Sequence, residues 1–350
     1  MLKMNDVKTM TPGRIRTPGK IHKVGLSGLL ETLSDVREMS LIIIIVLVSI
    51  LLAFTNDYFA TWANAKTLLG SISINGILTI GMIIVMISGG LDLSIGSVMC
   101  LSMAFAATAI RAGMNPWISA LVGILCAIVC GLVMGVIITK LNLSHFIVTL
   151  CFMGIARGVV YAMTSGVNIS LVSNMKEMPA IAYLGSGYIG GFLPMTFLVF
   201  IVLAVITELY ARKSANMRKV YYTGSNEQAA AYSGIKTKRV KIAACMACST
   251  MAGIAGIIYM SKYSGVATSA GIGLEMTALS AAVIGGVSMN GGKGTIAGGL
   301  LGLLFIVLIQ DAMNLFSVQA FWQDLIRYLI VLLAVILDVL QERARKRKNS

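Results

Sequence analysis

Gly224-Ser225-Asn226-Glu227-Gln228-Ala229-Ala230-Ala231-Tyr232-Ser233-Gly234 sits within residues 212–241, a polar and basic stretch between long apolar runs. The quoted residues predict a short helix. Ser225 with Gln228 three positions on has the form of a capping box, and Gly234 supplies a left-handed stop. A helix of about two turns is marginal alone in water. It needs something to dock against, and the chain on either side of this stretch is apolar. That contrast decides the fold class.

Of 350 residues, 57% are hydrophobic and 12% charged, with a mean hydropathy of +0.87. A soluble domain carries roughly 25% charged residues. The chain therefore reads as an all-α polytopic membrane protein. Its apolar runs lack the period-two alternation of a β-barrel. About ten spans are expected, near 39–55, 67–88, 94–111, 116–139, 143–163, 192–211, 240–261, 274–289, 294–314 and 318–339. Those shorter than the ~20 residues of a full crossing are expected to be tilted, re-entrant or broken. The longest segment on the far side, 164–191, reads as a loop with a short surface helix. Ile87-Ser88-Gly89-Gly90 followed by Ser94-Ile95-Gly96-Ser97 is echoed by Ile284-Gly285-Gly286 followed by Gly292-Lys293-Gly294-Thr295. Duplicated halves, common in transporters, and chance both fit that echo.

The net charge of +14 suggests nucleic acid at first. Its distribution excludes that partner. Most basic residues lie in the N-terminal arm, in 212–241 and at the C-terminus, with Lys140 and Lys293 at turns. The positive-inside rule places these segments, and hence both termini, in the cytoplasm. The domain reading is a basic arm (1–38), a transmembrane domain (39–340) containing the loop 212–241, and a basic tail (341–350). A helix at the membrane interface is expected over 27–38. The first apolar run begins near Met39, too deep for a cleavable signal. All six cysteines fall in apolar spans and read as small buried thiols. His22 and His145 are isolated, and no metal site, cofactor motif or nucleophile–base pair stands out.

Gly89-Gly90-Leu91-Asp92-Leu93-Ser94-Ile95-Gly96-Ser97 breaks two apolar stretches. An ionised acid at mid-bilayer costs about 2.5–3.5 kcal/mol on insertion scales. Asp92 therefore has two readings: part of a broken helix lining a pathway, or a cap at a membrane-edge turn, shared with Ser94. Arg157, inside the fifth span, needs an acid such as Asp92, a carbonyl cluster, water or a polar substrate, unless it snorkels outward. Asn75, Asn168 and Asn314 add polar groups near the spans, and Glu275 opens the eighth. The candidate pathway residues are thus Gly89, Gly90, Asp92, Ser94, Asn75 and Arg157. Gly285–Thr295 looks like a phosphate loop, but Gly294 rather than Ser or Thr follows Lys293 and no strand precedes it. It reads as a tight turn.

Taken together, Gly89–Ser97 and Gly224–Gly234 resemble two signatures of ribose-type, simple-sugar ABC importer permeases. The first is Gly-Gly-Ile-Asp-Leu-Ser-Val-Gly and the second a Gly-x-Asn-Glu-x-Ala-Ala-x-x-x-Gly coupling segment. Leu91 and Ile95 replace Ile and Val, and Gln228 stands where Glu is common. The resemblance spans roughly residues 40–340. It implies a transport subunit of the bacterial inner membrane with no nucleotide site of its own. Its implied partners are cytoplasmic ABC ATPase subunits, a second permease copy or paralogue, an extracytoplasmic sugar-binding protein and membrane lipid. Gly224, Asn226, Glu227, Ala229, Ala230 and Gly234 would couple to the ATPase, with Ala229, Ala230 and Tyr232 as the contact face. The alternatives are a secondary transporter or channel for a small polar solute, a membrane enzyme, and an ABC permease for a non-sugar cargo.

Overall fold

The computed structural model describes residues 37–349. The basic arm and the interfacial helix expected over 27–38 lie outside the described residues, apart from Arg37 and Glu38. Fourteen helices run in the order α1 (Arg37–Thr55), α2 (Trp62–Ile87), α3 (Ile95–Arg111), α4 (Pro116–Leu141), α5 (His145–Thr164), α6 (Val172–Glu177), α7 (Pro179–Ser186), α8 (Met195–Lys213), α9 (Ala215–Ser225), α10 (Glu227–Tyr232), α11 (Thr237–Tyr263), α12 (Leu274–Ile284), α13 (Ile296–Leu315) and α14 (Ala320–Asn349). Ten of these coincide with the ten apolar runs. Seven (α1, α2, α4, α5, α8, α11 and α13) are long and apolar enough to cross a membrane, while α3 and α12 are short apolar helices. This is an all-α polytopic membrane protein.

Among the described residues, four two-residue strands make two small antiparallel pairs. β1 (Ile169–Ser170) pairs with β4 (Gly265–Val266), and β2 (Tyr188–Ile189) with β3 (Leu193–Pro194). The first pair fastens the 165–194 connection, which holds two short helices where one was expected, to the end of α11, and the second closes a hairpin within that connection.

Local sequence sets the helix ends. Asn115 caps α4 by accepting from the Trp117 amide, with Pro116 in the first turn, where its missing N–H costs nothing. Thr61 caps α2 and Thr295 caps α13 in the same way. The two echoed segments close their helices alike, as Gly113 and Gly234 also do. After α2, Gly89 donates to Met86 O and Gly90 to Val85 O; after α12, Gly286 donates to Val283 O and Val287 to Ala282 O. Both are Schellman closures on a glycine of positive φ.

The core is built on α2, buried along most of its length, with α8, α11, α12 and α13 around it. A second cluster joins α3, α4, α5 and the C-terminal part of α11. Small residues set the spacing of α4 and α11. A Cβ on Gly131 would stand 2.8 Å from Cys245 O, and one on Gly135 2.8 Å from Ile242 Cα. Membrane helices approach closely through such positions because dispersion between backbones replaces a hydrophobic drive. The cysteines are unpaired; Cys100, Cys245 and Cys248 are buried, but Cys151 is exposed on the outer face of α5. That corrects the reading of all six as buried. An apolar span presents some of its small residues outward, and periodicity over α5 is too uniform to say which.

Candidate functional site

Three glycine-bearing segments, far apart in sequence, meet at one end of the bundle. The Gly292 amide donates to Ile87 O at the end of α2 (2.9 Å). Gly224, at the end of α9, lies between the same groups: a Cβ there would overlap the Ile87 carbonyl and stand 2.6 Å from Gly292 N. Gly291, with φ 83°, would place a Cβ 2.7 Å from Gly89 Cα and 2.8 Å from Gly224 O. Tyr221 donates to Gly294 O (2.8 Å), and Ser225 Oγ reaches Gly292 O (3.5 Å). Burial, then the Glu208 carboxylate, pushes the Tyr221 phenol above its ordinary pKa and keeps it a donor. The turn after α2, the end of α9 and the turn before α13 are thus stacked backbone on backbone.

Helix α10 leaves this junction directly. Its cap is Asn226, whose side chain accepts from the Ala229 amide (2.9 Å). The expected cap, Ser225, instead closes α9. Asn226 adopts the extended backbone a cap requires, and Ser225 is held helical by the preceding turn. Gly234, φ 82°, ends the helix as expected; it donates to Ala231 O and Ile235 to Ala230 O. Glu227 pairs with Lys241 of α11 (2.6 Å), tying the helix start to a long span. Ala230 is buried against its own chain, so it leaves the expected contact face. Ala229 and Tyr232 face outward, Tyr232 at 92% exposure.

Asp92 and Arg157 do not meet. Asp92, buried, accepts from the Ser94 amide (2.9 Å) and Ser94 Oγ (2.6 Å), with the Cys248 thiol also in reach. It closes a turn on Ser94, the residue before α3, and no side chain bonds to the first amides of α3 itself. Arg157 donates from Nη1 to Thr268 O (2.6 Å) and Ala270 O (2.8 Å). Of the partners open to it, the carbonyl cluster is the one it takes. Asn168 Oδ1 accepts from the Thr268 amide, completing a clamp on the unwound segment 264–273. That segment touches the start of α3, since a Cβ on Gly96 would overlap Gly271 O and stand 2.9 Å from Glu275 Oε2. Glu275 accepts from the Gly273 amide (3.1 Å) at the start of α12. Two short helices therefore begin side by side, each with a buried carboxylate at its positive end, where a negative group is favoured. Asn75 lies buried on α2 with Ser71 as its side-chain neighbour (3.4 Å).

The family of permease components of branched-chain amino acid transport systems matches residues 64–335 of this chain. The chain belongs to this permease family. It is 35% identical over 300 residues to the ribose import permease protein RbsC of Bacillus subtilis, covering 86% of this chain and 91% of that one. It is 32% identical over 305 residues to RbsC of Escherichia coli K12, covering 86% and 93%. The autoinducer 2 import system permease protein LsrC of Salmonella typhi is 30% identical over 326 residues, covering 91% and 92%. No solved structure matches the chain.

Sequence reading of this permease missed α9 and its role. The signal was there: Met217, Val220 and Tyr221 follow Ser214 at helical spacing, and Ser214 caps the helix. It also missed His145, whose buried ring packs under Gly90. Nothing local marks that contact, because it joins the start of α5 to the turn after α2.

Proposed function

We propose that this permease is the membrane subunit of an ATP-driven importer for a simple sugar: a ribose-like pentose, a hexose or a polyol. The observation that carries this reading is the near full-length match to permeases named for ribose import. The family description names branched-chain amino acids instead. The full-length relatives are the narrower guide to cargo, because a family description covers many cargoes on one fold. The implied setting is the bacterial inner membrane, with ten crossings, both termini in the cytoplasm and duplicated halves. The partners are cytoplasmic ATPase subunits, a second permease copy or paralogue, and an external sugar-binding protein.

In this reading α10 is the ATPase docking helix. Ala229 and Tyr232 form its outward face, Asn226 and Gly234 its caps, and Glu227 and Ala230 its hold on the permease body. Gly224 carries its motion into the turns after α2 and before α13. Gly89, Gly90, Asp92, Ser94, Asn75 and Arg157 are the pathway residues of this reading, with Asp92, Ser94 and Arg157 holding the broken segments near the starts of α3 and α12, an arrangement many transporters place around their cargo. ATPase closure pulls α10, shifts these segments, and opens the path alternately to each side.

The test is uptake of radiolabelled ribose into liposomes holding the permease, its ATPase and its binding protein. Uptake should require all three and ATP; ATP-independent uptake by the permease alone would establish the secondary transporter instead. Stabilisation of the binding protein by leucine but by no pentose, hexose or polyol would overturn the cargo. Tyr232→Ala should leave the thermal midpoint unchanged while lowering ATPase retention on affinity purification at least several-fold. Wild-type retention would remove α10 from the docking role.

A further inference from the structure

Beside α10 a groove of about 760 Å³ opens between α8, α9 and the first half of α11. Its floor is apolar, made by Ile84, Ala244 and Ala247. Its mouth carries Lys219, Lys236 and Arg239, all exposed, and no carboxylate lines it. Lys219 is steadied by Asn216 Oδ1 (3.1 Å). From Lys236 to Ala247 the groove follows α11 for roughly 16 Å, at 1.5 Å per residue. Val205, Ile206 and Leu209 of α8 are exposed alongside, as on a face turned to lipid.

We propose that this groove holds one anionic phospholipid, with its phosphate at Lys219, Lys236 and Arg239 and an acyl chain along Ile84, Ala244 and Ala247. The gradient from cationic mouth to apolar floor matches a lipid and fits the other occupants poorly. A free anion would use the mouth and leave the floor empty. An extended peptide would bring backbone N–H and C=O groups that Ile84, Ala244 and Ala247 cannot satisfy. A lipid satisfies both ends, and basic pockets between spans are known to take such headgroups. The groove wall includes Ser233 and Gly234, the closure of α10. A bound headgroup therefore braces the docking helix from behind. This inference does not depend on the cargo.

Purified full-length permease is incubated in detergent with phosphatidylglycerol or phosphatidylcholine of matched chains, and retained lipid is read by native mass spectrometry. Wild type should retain one phosphatidylglycerol and little phosphatidylcholine. The surface variant Lys219→Gln/Lys236→Gln/Arg239→Gln should bind it roughly a hundred-fold more weakly, from about one charge-worth of attraction per cation. Ala247→Trp fills the floor, keeps the charges and should also lose the lipid. Millimolar inorganic phosphate should fail to displace it. Equal retention of both lipids, unchanged retention in the triple variant, or full displacement by phosphate would each overturn the proposal. So would loss of a permease dimer in Ala247→Trp with lipid retention intact, which would give the groove to a second copy.

Discussion

Two regions of this permease hold broken backbone in place, and they do so by opposite means. At the α10 end, Gly89, Gly224 and Gly291–Gly292 pack main chain on main chain, with little side chain between them. Across the bundle, Arg157 and Asn168 reach over to grip the unwound segment 264–273 by its polar groups. The first region is held by shape and tolerates no added atom. The second adds side-chain hydrogen bonds to its own close approach at Gly96 and Gly271, so away from those glycines it depends on keeping the Arg157 donor and the Asn168 acceptor. In the proposed coupling role, a junction that passes on displacement would gain from direct contact, since backbone is far stiffer than a long side chain. In the same proposed role, a segment held and then released would gain from bonds that can re-form.

Gly224→Ala should break the comparison most sharply. Its methyl would overlap Ile87 O and crowd Gly292 N, and overpacking of this kind costs about 1–3 kcal/mol or more. A fallen thermal midpoint in detergent and abolished uptake are expected; wild-type values would mean that the junction is loose. Arg157→Leu comes next. It leaves Thr268 O and Ala270 O without their donor, worth about 1–3 kcal/mol, and Arg157→Lys should recover part of the loss. If Lys behaves like Leu, the fork of the guanidinium matters more than its charge. Glu227→Gln breaks a half-exposed pair with Lys241, for which about 0–1 kcal/mol is expected; the thermal midpoint should hardly move. Gly158→Ala is the control, a helical glycine with open space around it. It should stabilise α5 slightly, by at most about 1 kcal/mol.

The helices were legible because apolar length and end signals act locally. Pro116, Asn115 and Gly234 each mark their boundary without help from the rest of the chain. The Gly89 and Gly286 echo was also legible, and its capping geometry repeats as the sequence does. The assembly of the site was not. Nothing local says that the Gly224 and Gly292 turns share the Ile87 carbonyl, or that Arg157 answers to Thr268 rather than Asp92. Those pairings follow from how α2, α5 and α11 cross, which periodicity alone leaves open. The shift of the cap from Ser225 to Asn226 has a smaller cause. Both residues can cap a helix, and α9, unseen in the sequence, had already claimed the first.

Gly224 touches the turn after α2 and the turn before α13 at the same point, with Gly292 bonded to Ile87 beneath it. The consequence is one of timing. In the proposed role, a pull on α10 would reach both turns at once, and the two parts of the bundle would begin to move together. A time-resolved record with one probe on each turn should give a single shared rate and no lag.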